Sequence, residues 1–427
     1  MEFAVELLQS LGHAALRLFM NPFTYIGVVF IALQYRRQVQ LERKLFHAKL
    51  HSWLSETGRT VLWGAAAGLV ASAVLLFAGI TLQADVVLLL WGISIPLLLL
   101  RVRYLCLAYS VGVLGTLHAI VMWMPDLSGV AAVGPLLGII QQADIPSLLL
   151  IVALLHLIEG LLVGLQGARM ASPLFVEGKR GKIIGGYQLQ GFWPVPLFLL
   201  VPLQGGVAEP LPWGTLLGAD YAAGWALLAF PAVIGFTEFT ASRRPREQVR
   251  LSGRMLVLYG VVLGLLAVGA AYWPPLLLAA APLCFALHEA LIGYRKRLEA
   301  NQTPLYVHAD RGLRILAVLP KGPAAELGIE AGEIIHKVNG HRVRSKTDLH
   351  YAMQLNSAFC KLEILNLQGE VRFLQRALFA GEHHQLGIIL SPDQDALYFL
   401  ADRPLHLFSY LLSKLSGLLS SKSGTPM

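Results

Sequence analysis

Charge is what this chain has least of. Asp, Glu, Lys and Arg make up 14% of its 427 residues, against about 25% in a soluble globular domain, so it is short of the polar surface that water demands. With 56% of residues hydrophobic and a mean hydropathy of +0.60, it reads as a polytopic membrane protein with a polar appendix. Cysteine is scarce as well. Cys106, Cys284 and Cys360 include no C-x-x-C pair, which excludes a disulfide framework and a zinc knuckle. Glu2 and Glu6 stand where a secretory signal would be basic, so no cleaved signal is expected there. After Tyr294 no apolar run approaches the roughly 20 residues of a spanning helix.

Signatures of catalysis are missing too. His288-Glu289 begins the zinc-protease pattern H-E-x-x-H, but the fifth position is Ile292, so the second imidazole needed one helical turn on is lacking. In HLIEG, His156 and Glu159 stand three apart and Gly160 occupies the place where H-x-x-E-H needs its second histidine. There is no G-x-S-x-G elbow, and Gly178-Lys179 and Gly181-Lys182 lack the rest of a phosphate loop. The expectation is therefore no enzyme, with no catalytic residue, no cofactor and no metal ligand. His156 and Glu159 remain as an intramembrane polar pair, either a hydrogen bond that orients helices or part of a proton or substrate pathway. His288 and Glu289, a turn or two before Arg295, are expected to reach the cytoplasmic interface.

What is present is a series of apolar segments. Candidate spans cover 22–35, 61–82, 86–100, 104–124, 145–165, 192–207, 215–236, 255–272 and 275–292. The first and sixth are short, which leaves eight or nine helical spans. The net charge of +8 is concentrated in alternate loops: Arg36 to Arg59, Arg101 and Arg103, Arg169 to Lys182, Arg243 to Arg254, and Arg295 to Arg297. The intervening loops at 126–144, 208–213 and 273–274 contain no Lys or Arg. That alternation is a topology signal rather than a nucleic-acid one, and it places the basic loops and everything after Arg297 in the cytoplasm of a multi-pass cell-membrane protein. The glycine-rich stretch 167–191 reads as an inside loop, or more sharply as a docking surface for a protein or for anionic headgroups. Residues 1–20 put Phe3, Leu7, Leu8, Leu11 and Ala15 on one helical face, as in an interfacial helix or the polar start of the first span.

The domain reading is an interfacial helix at 1–20, a bundle at 21–294, a basic linker at 295–303, a folded domain at 304–391 and a tail at 392–427. In the tail, Phe408, Leu411, Leu412, Leu415 and Leu418 recur at helical spacing. They predict an amphipathic helix that lies on the membrane, meets another protein or packs back on the preceding domain. In the folded domain, a strand at 313–319 leads through a short helical piece closed by Gly328 to a second strand ending in Asn339-Gly340, a hairpin turn signal. Ser345 and Asp348 form a capping box before a helix carrying Leu349, Ala352, Met353 and Leu355, and two strands flank Gln368-Gly369. This order, with GLRILAVLPKGPAAELGIEAGEIIHKVNG at 312–340, resembles the bacterial PDZ domain, except that Glu333 stands where Asp is more usual. A PDZ domain accepts an extended peptide beside a sheet edge. Here Leu386-Gly387-Ile388 would supply the ligand-pairing strand of a permuted domain, with Leu349, Ala352 and Met353 on the groove wall. The alternative is an ordinary closing strand.

A multispan α-helical bundle followed by a cytoplasmic α+β PDZ domain resembles the MinJ-type topological determinants of cell division in Gram-positive bacteria. HLIEG, the GKRGK loop and residues 358–388 carry the likeness best. The resemblance implies a non-enzymatic adaptor, enriched at septum and poles, that bridges a DivIVA-like polar scaffold to a MinD-like ATPase and the inhibitor MinC. Other divisome membrane proteins and the lipid bilayer would be further partners, and nucleic acid none. A membrane-embedded peptidase, or its PDZ-bearing regulatory subunit, is the alternative, with a transporter-like bundle behind it.

Overall fold

A computed structural model of the chain describes residues 2–123, 134–179, 181–207, 211–213, 215–217, 224–320, 322–356, 359–377 and 386–392. The amphipathic helix expected in the tail lies outside them. In chain order the first helices are α1 (Glu2–Met20), α2 (Pro22–Phe46), α3 (Trp53–Ala78), α4 (Ala84–Leu100), α5 (Leu107–Val121), α6 (Gly134–Gln142) and α7 (Ile145–Gln166). A three-stranded antiparallel sheet follows, β1 (Ser172–Glu177), β2 (Ile183–Val207) and β3 (Trp225–Thr240), and then α8 (Pro245–Tyr272) and α9 (Leu277–Ala300).

Among the described residues, four helices, those containing α3, α7, α8 and α9, are long and apolar enough to cross a membrane. The pair α1 and α2, bent by 57° at Asn21, makes a fifth if it is one span. Leu62 and Val70 of α3, Leu161 and Leu165 of α7, and Leu258 and Leu265 of α8 are exposed, as lipid-facing side chains are. The expected third and fourth spans are the shorter helices α4 and α5. The expected sixth and seventh are strand rather than helix over most of their described residues. Residues 192–207 and most of 215–236 belong to the long hairpin of β2 and β3.

The reason lies in the backbone. β2 pairs with β3 from Tyr187↔Thr240 to Pro202↔Trp225, whereas β1 covers its other edge only as far as Gln188. A bare edge cannot face lipid, because its N–H and C=O groups would have no partners. Proline at 194, 196 and 202, all of one parity, removes donors from that edge at alternate positions. Pro196 sits opposite Pro231, a pairing that needs no hydrogen bond between them. Helix α3 covers what remains. Phe198 N donates to Ser72 Oγ (2.8 Å), and just past the helix Leu82 N donates to Leu200 O (3.0 Å). Gly64 and Gly68 let α3 lie so close that a Cβ at either would collide with the carbonyl of Pro194 or Pro196, the small-residue spacing of close packing in membranes. Near the hairpin's far end, α1 packs Phe3, Leu7, Leu11 and Ala14 against Phe198, Trp225 and Leu227, and Ser10 Oγ accepts from Leu227 N. Of the face expected to meet the membrane interface, Phe3, Leu7, Leu11 and Ala15 thus meet protein, while Leu8 is exposed.

The stretch expected as a glycine-rich loop is accordingly β1, a turn and the start of β2, and it holds the C-terminal domain. Tyr187 OH donates to Leu316 O, Gly185 N to Tyr306 O (2.8 Å), and Leu305 N to Ala241 O (2.7 Å). The expected basic linker is also ordered. Helix α9 runs to Ala300, and Glu299 accepts from Ala241 N (2.7 Å), Ser242 N (2.9 Å) and Thr240 Oγ1 (3.1 Å), tying the helix to the end of β3.

The C-terminal domain contains β4 (Leu313–Val318), α10 (Pro323–Glu326), β5 (Ile334–Val338), β6 (His341–Arg342), α11 (Lys346–Gln354), β7 (Phe359–Leu365), β8 (Val371–Ala377) and β9 (Ile388–Leu390), with sheet order β8-β7-β5-β4-β9. Asn339 and Gly340 have φ of 49° and 84°, the two positive values that a tight β5–β6 turn requires. The capping box closes reciprocally, Asp348 N to Ser345 Oγ and Ser345 N to Asp348 Oδ2, both 3.0 Å. Glu333 is buried, accepts from Glu330 N (3.0 Å) and pairs with Arg372 (2.7 Å).

Candidate functional site

β9 ends the sheet, with β4 as its one strand neighbour among the described residues. Its register follows from two bonds: Leu319 N donates to Gly387 O (2.7 Å), and Ser391 N donates to Arg314 O (2.8 Å). Residues 387, 389 and 391 therefore turn their backbone groups to β4, and by the two-residue period Ile388 and Leu390 turn theirs to the open edge. Gly387 adopts φ of +70°, and its Cα lies against Gly322. Such an edge can add one extended peptide strand.

The side chains expected in the groove divide in two. Ile388 and Leu349 are half-buried against the domain's own core, where a ligand's side chains would pass. Leu386, Ala352 and Met353 are fully within that core. Ile389, on the opposite face of β9, packs with Leu316 and Ala317 into the core shared with the bundle, so the edge is held in a fixed position relative to the membrane helices.

The second set of polar residues lies inside the bundle. His156 and Glu159 are both buried, but no hydrogen bond joins them: His156 Nδ1 donates to Val152 O (2.8 Å), and the charge that acts on Glu159 is that of Arg295. Arg295 also lies 3.5 Å from Glu238 at the end of β3. The expected interfacial pair separates as well. Glu289 is partly exposed and meets Arg103 at 2.8 Å, whereas His288 turns inward and is 9% exposed. There its ring lies 5.2 Å from that of His156, with Cys106 Sγ between them. No sequence spacing signals this meeting, because the three residues come from three different helical segments.

The PDZ domain family model matches residues 314–362, which run from β4 into β7. The chain is similar to the cell division topological determinant MinJ of Bacillus subtilis (strain 168), with 31% identity over 414 residues covering 92% of this chain and 96% of that one. It is also similar to a probable cell division topological determinant MinJ from Lacticaseibacillus paracasei, 26% identical over 367 residues, 83% of this chain and 91% of the relative. No solved structure matches the chain.

Proposed function

Because the chain belongs to the MinJ family of cell division topological determinants, we propose that it is a multi-pass membrane adaptor whose PDZ edge captures a peptide strand of a division protein on the cytoplasmic side. The edge of β9 that no described strand covers, packed through Ile389 on the core shared with the bundle, is the observation that carries this reading. The charge alternation supports the side. Strands β2 and β3 replace two helices but still run out and back, so the basic residues at the hairpin base, Lys179, Lys182 and Arg243, stay on the same side as Arg295 and the PDZ domain.

Confinement to the membrane raises the effective concentration of the edge for partners that are also membrane-bound, so weak strand pairing is sufficient. The partners we propose are a DivIVA-like scaffold and a MinD-like ATPase, which the adaptor would connect at septa and poles. A peptidase is not favoured: the relatives are named as topological determinants.

The test is a membrane two-hybrid assay with the full chain against each partner, comparing wild type with Leu390→Pro. The substitution removes one open-edge N–H without touching the bonds of Gly387 and Ser391 to β4. One main-chain hydrogen bond is worth about 0.5–1.5 kcal/mol, or roughly 2- to 12-fold in affinity. Undiminished capture by the folded variant would remove the edge from the proposal.

A further inference from the structure

Cys106, His156 and His288 bring three metal-ligating atoms together, all within 4.8 Å of one another. Cys106 precedes α5, and His156 and His288 lie in the middle of α7 and α9. The Cys106 Sγ to Nε2 distances are 3.4 Å for His156 and 3.9 Å for His288. Two ligands of a tetrahedral zinc ion, with bonds of about 2.3 Å to sulfur and 2.0–2.1 Å to nitrogen, stand about 3.6 Å apart. The observed separations bracket that value.

Hydrogen bonding settles which ring nitrogens carry protons. His156 Nδ1 faces the Val152 carbonyl (2.8 Å), which can only accept, so Nδ1 is protonated and Nε2 holds a lone pair. Tyr109 OH donates its single proton to Glu289 Oε1 (3.0 Å), so its oxygen accepts from His288 Nδ1 (3.1 Å), and His288 Nε2 also holds a lone pair. Two imidazole lone pairs and a thiol therefore converge with one S–H proton among them. That proton can serve one acceptor, and a buried acceptor left without a partner is costly. A cation satisfies all three at once.

The surroundings suit one. Each imidazole is oriented through its other nitrogen, His288 by the relay of Tyr109, Glu289 and Arg103, which is how outer-shell groups fix ligating histidines. Cys106 is the N-cap residue of α5, which holds its sulfur at the start of that helix. A thiolate with two imidazoles is a zinc donor set.

We propose that Cys106, His156 and His288 form a buried Zn2+ site that staples the start of α5 to α7 and α9, with the thiol proton released on binding and water as the fourth ligand. The staple would fix α9, the helix that leads through Glu299 into the PDZ domain.

The full chain, purified in detergent and dialysed without chelator, should hold about one zinc per chain by elemental analysis. After exchange with Co2+ it should show a thiolate-to-cobalt charge-transfer band. Cys106→Ser should abolish the band, and Cys360→Ser, in the PDZ core, should leave metal and band intact. Tyr109→Phe should keep the band while weakening zinc binding about 10- to 100-fold, the usual cost of losing an outer-shell partner. A wild-type chain without the cobalt band overturns the proposal whatever the variants do. So does a Cys106→Ser chain that keeps it.

Discussion

Three glycines of one helix should divide in the sign of their response to the same substitution. Gly64 and Gly68 of α3 face the carbonyls of Pro194 and Pro196, and an added Cβ at either has no room. Gly58, on the same helix, has nothing within 4 Å of where a Cβ would be. Alanine stabilises a helix interior by roughly 0.5–1 kcal/mol relative to glycine, so Gly58→Ala should gain about that much. At Gly64 or Gly68 the same gain is opposed by an overpacking cost of about 1–3 kcal/mol, worsened because the obstacle is strand backbone rather than a flexible side chain. The net expectation is a loss of about 1–2 kcal/mol, a factor of roughly 5–30 in the folded-to-unfolded ratio. Denaturant or thermal unfolding of the full chain in detergent measures it. If Gly64→Ala and Gly68→Ala matched Gly58→Ala, α3 would not lie on a strand edge, and residues 192–236 would have to be the helical spans that their hydrophobicity suggests.

Ser72→Ala, which strips Phe198 N of its acceptor, should cost about 1–3 kcal/mol in the same assay, and Ser72→Thr should recover part of it. Arg372→Ala leaves the buried Glu333 carboxylate with only Glu330 N. It should destabilise the PDZ domain by about 1–3 kcal/mol, less than a fully buried pair because Arg372 is partly exposed, read as faster amide exchange in β5 and β8. The amides of Arg344 and Ser345 hold the Asp348 carboxyl below its ordinary value, the Arg344 amide foremost. Its contribution is therefore complete above the unfolded carboxylate pKa and lost as pH falls through the lower, folded value. Exchange protection of α11 should fall with acid in the wild type, and Asp348→Asn should flatten that dependence.

The PDZ domain was legible because its signals are local. Asn339-Gly340, Gly328 and the Ser345–Asp348 box each encode a backbone geometry within a few residues, and each takes that geometry in the structure. The hairpin of β2 and β3 was not, because a run of 16 or more apolar residues satisfies a lipid environment equally well as helix or as covered strand. The clue was the parity of Pro194, Pro196 and Pro202, which suits an edge strand and breaks a helix. For the polar pair, helical spacing puts His156 and Glu159 on one buried face, but it does not name the groups that other segments bring to them, Cys106 and His288 to His156 and Arg295 to Glu159. Cys106 lies 50 positions from His156 and 182 from His288, a separation that only the fold can close.

The most direct measurement is site-specific photo-crosslinking from Ile388 in the full chain, carried out in dividing cells, with the adducts identified by mass spectrometry. Capture of a peptide from the DivIVA-like scaffold or the MinD-like ATPase, lost when Leu390→Pro is added, is the expected result. Adducts confined to the chain's own residues or to lipid, in cells where the protein still reaches the septum, would contradict a strand-accepting adaptor.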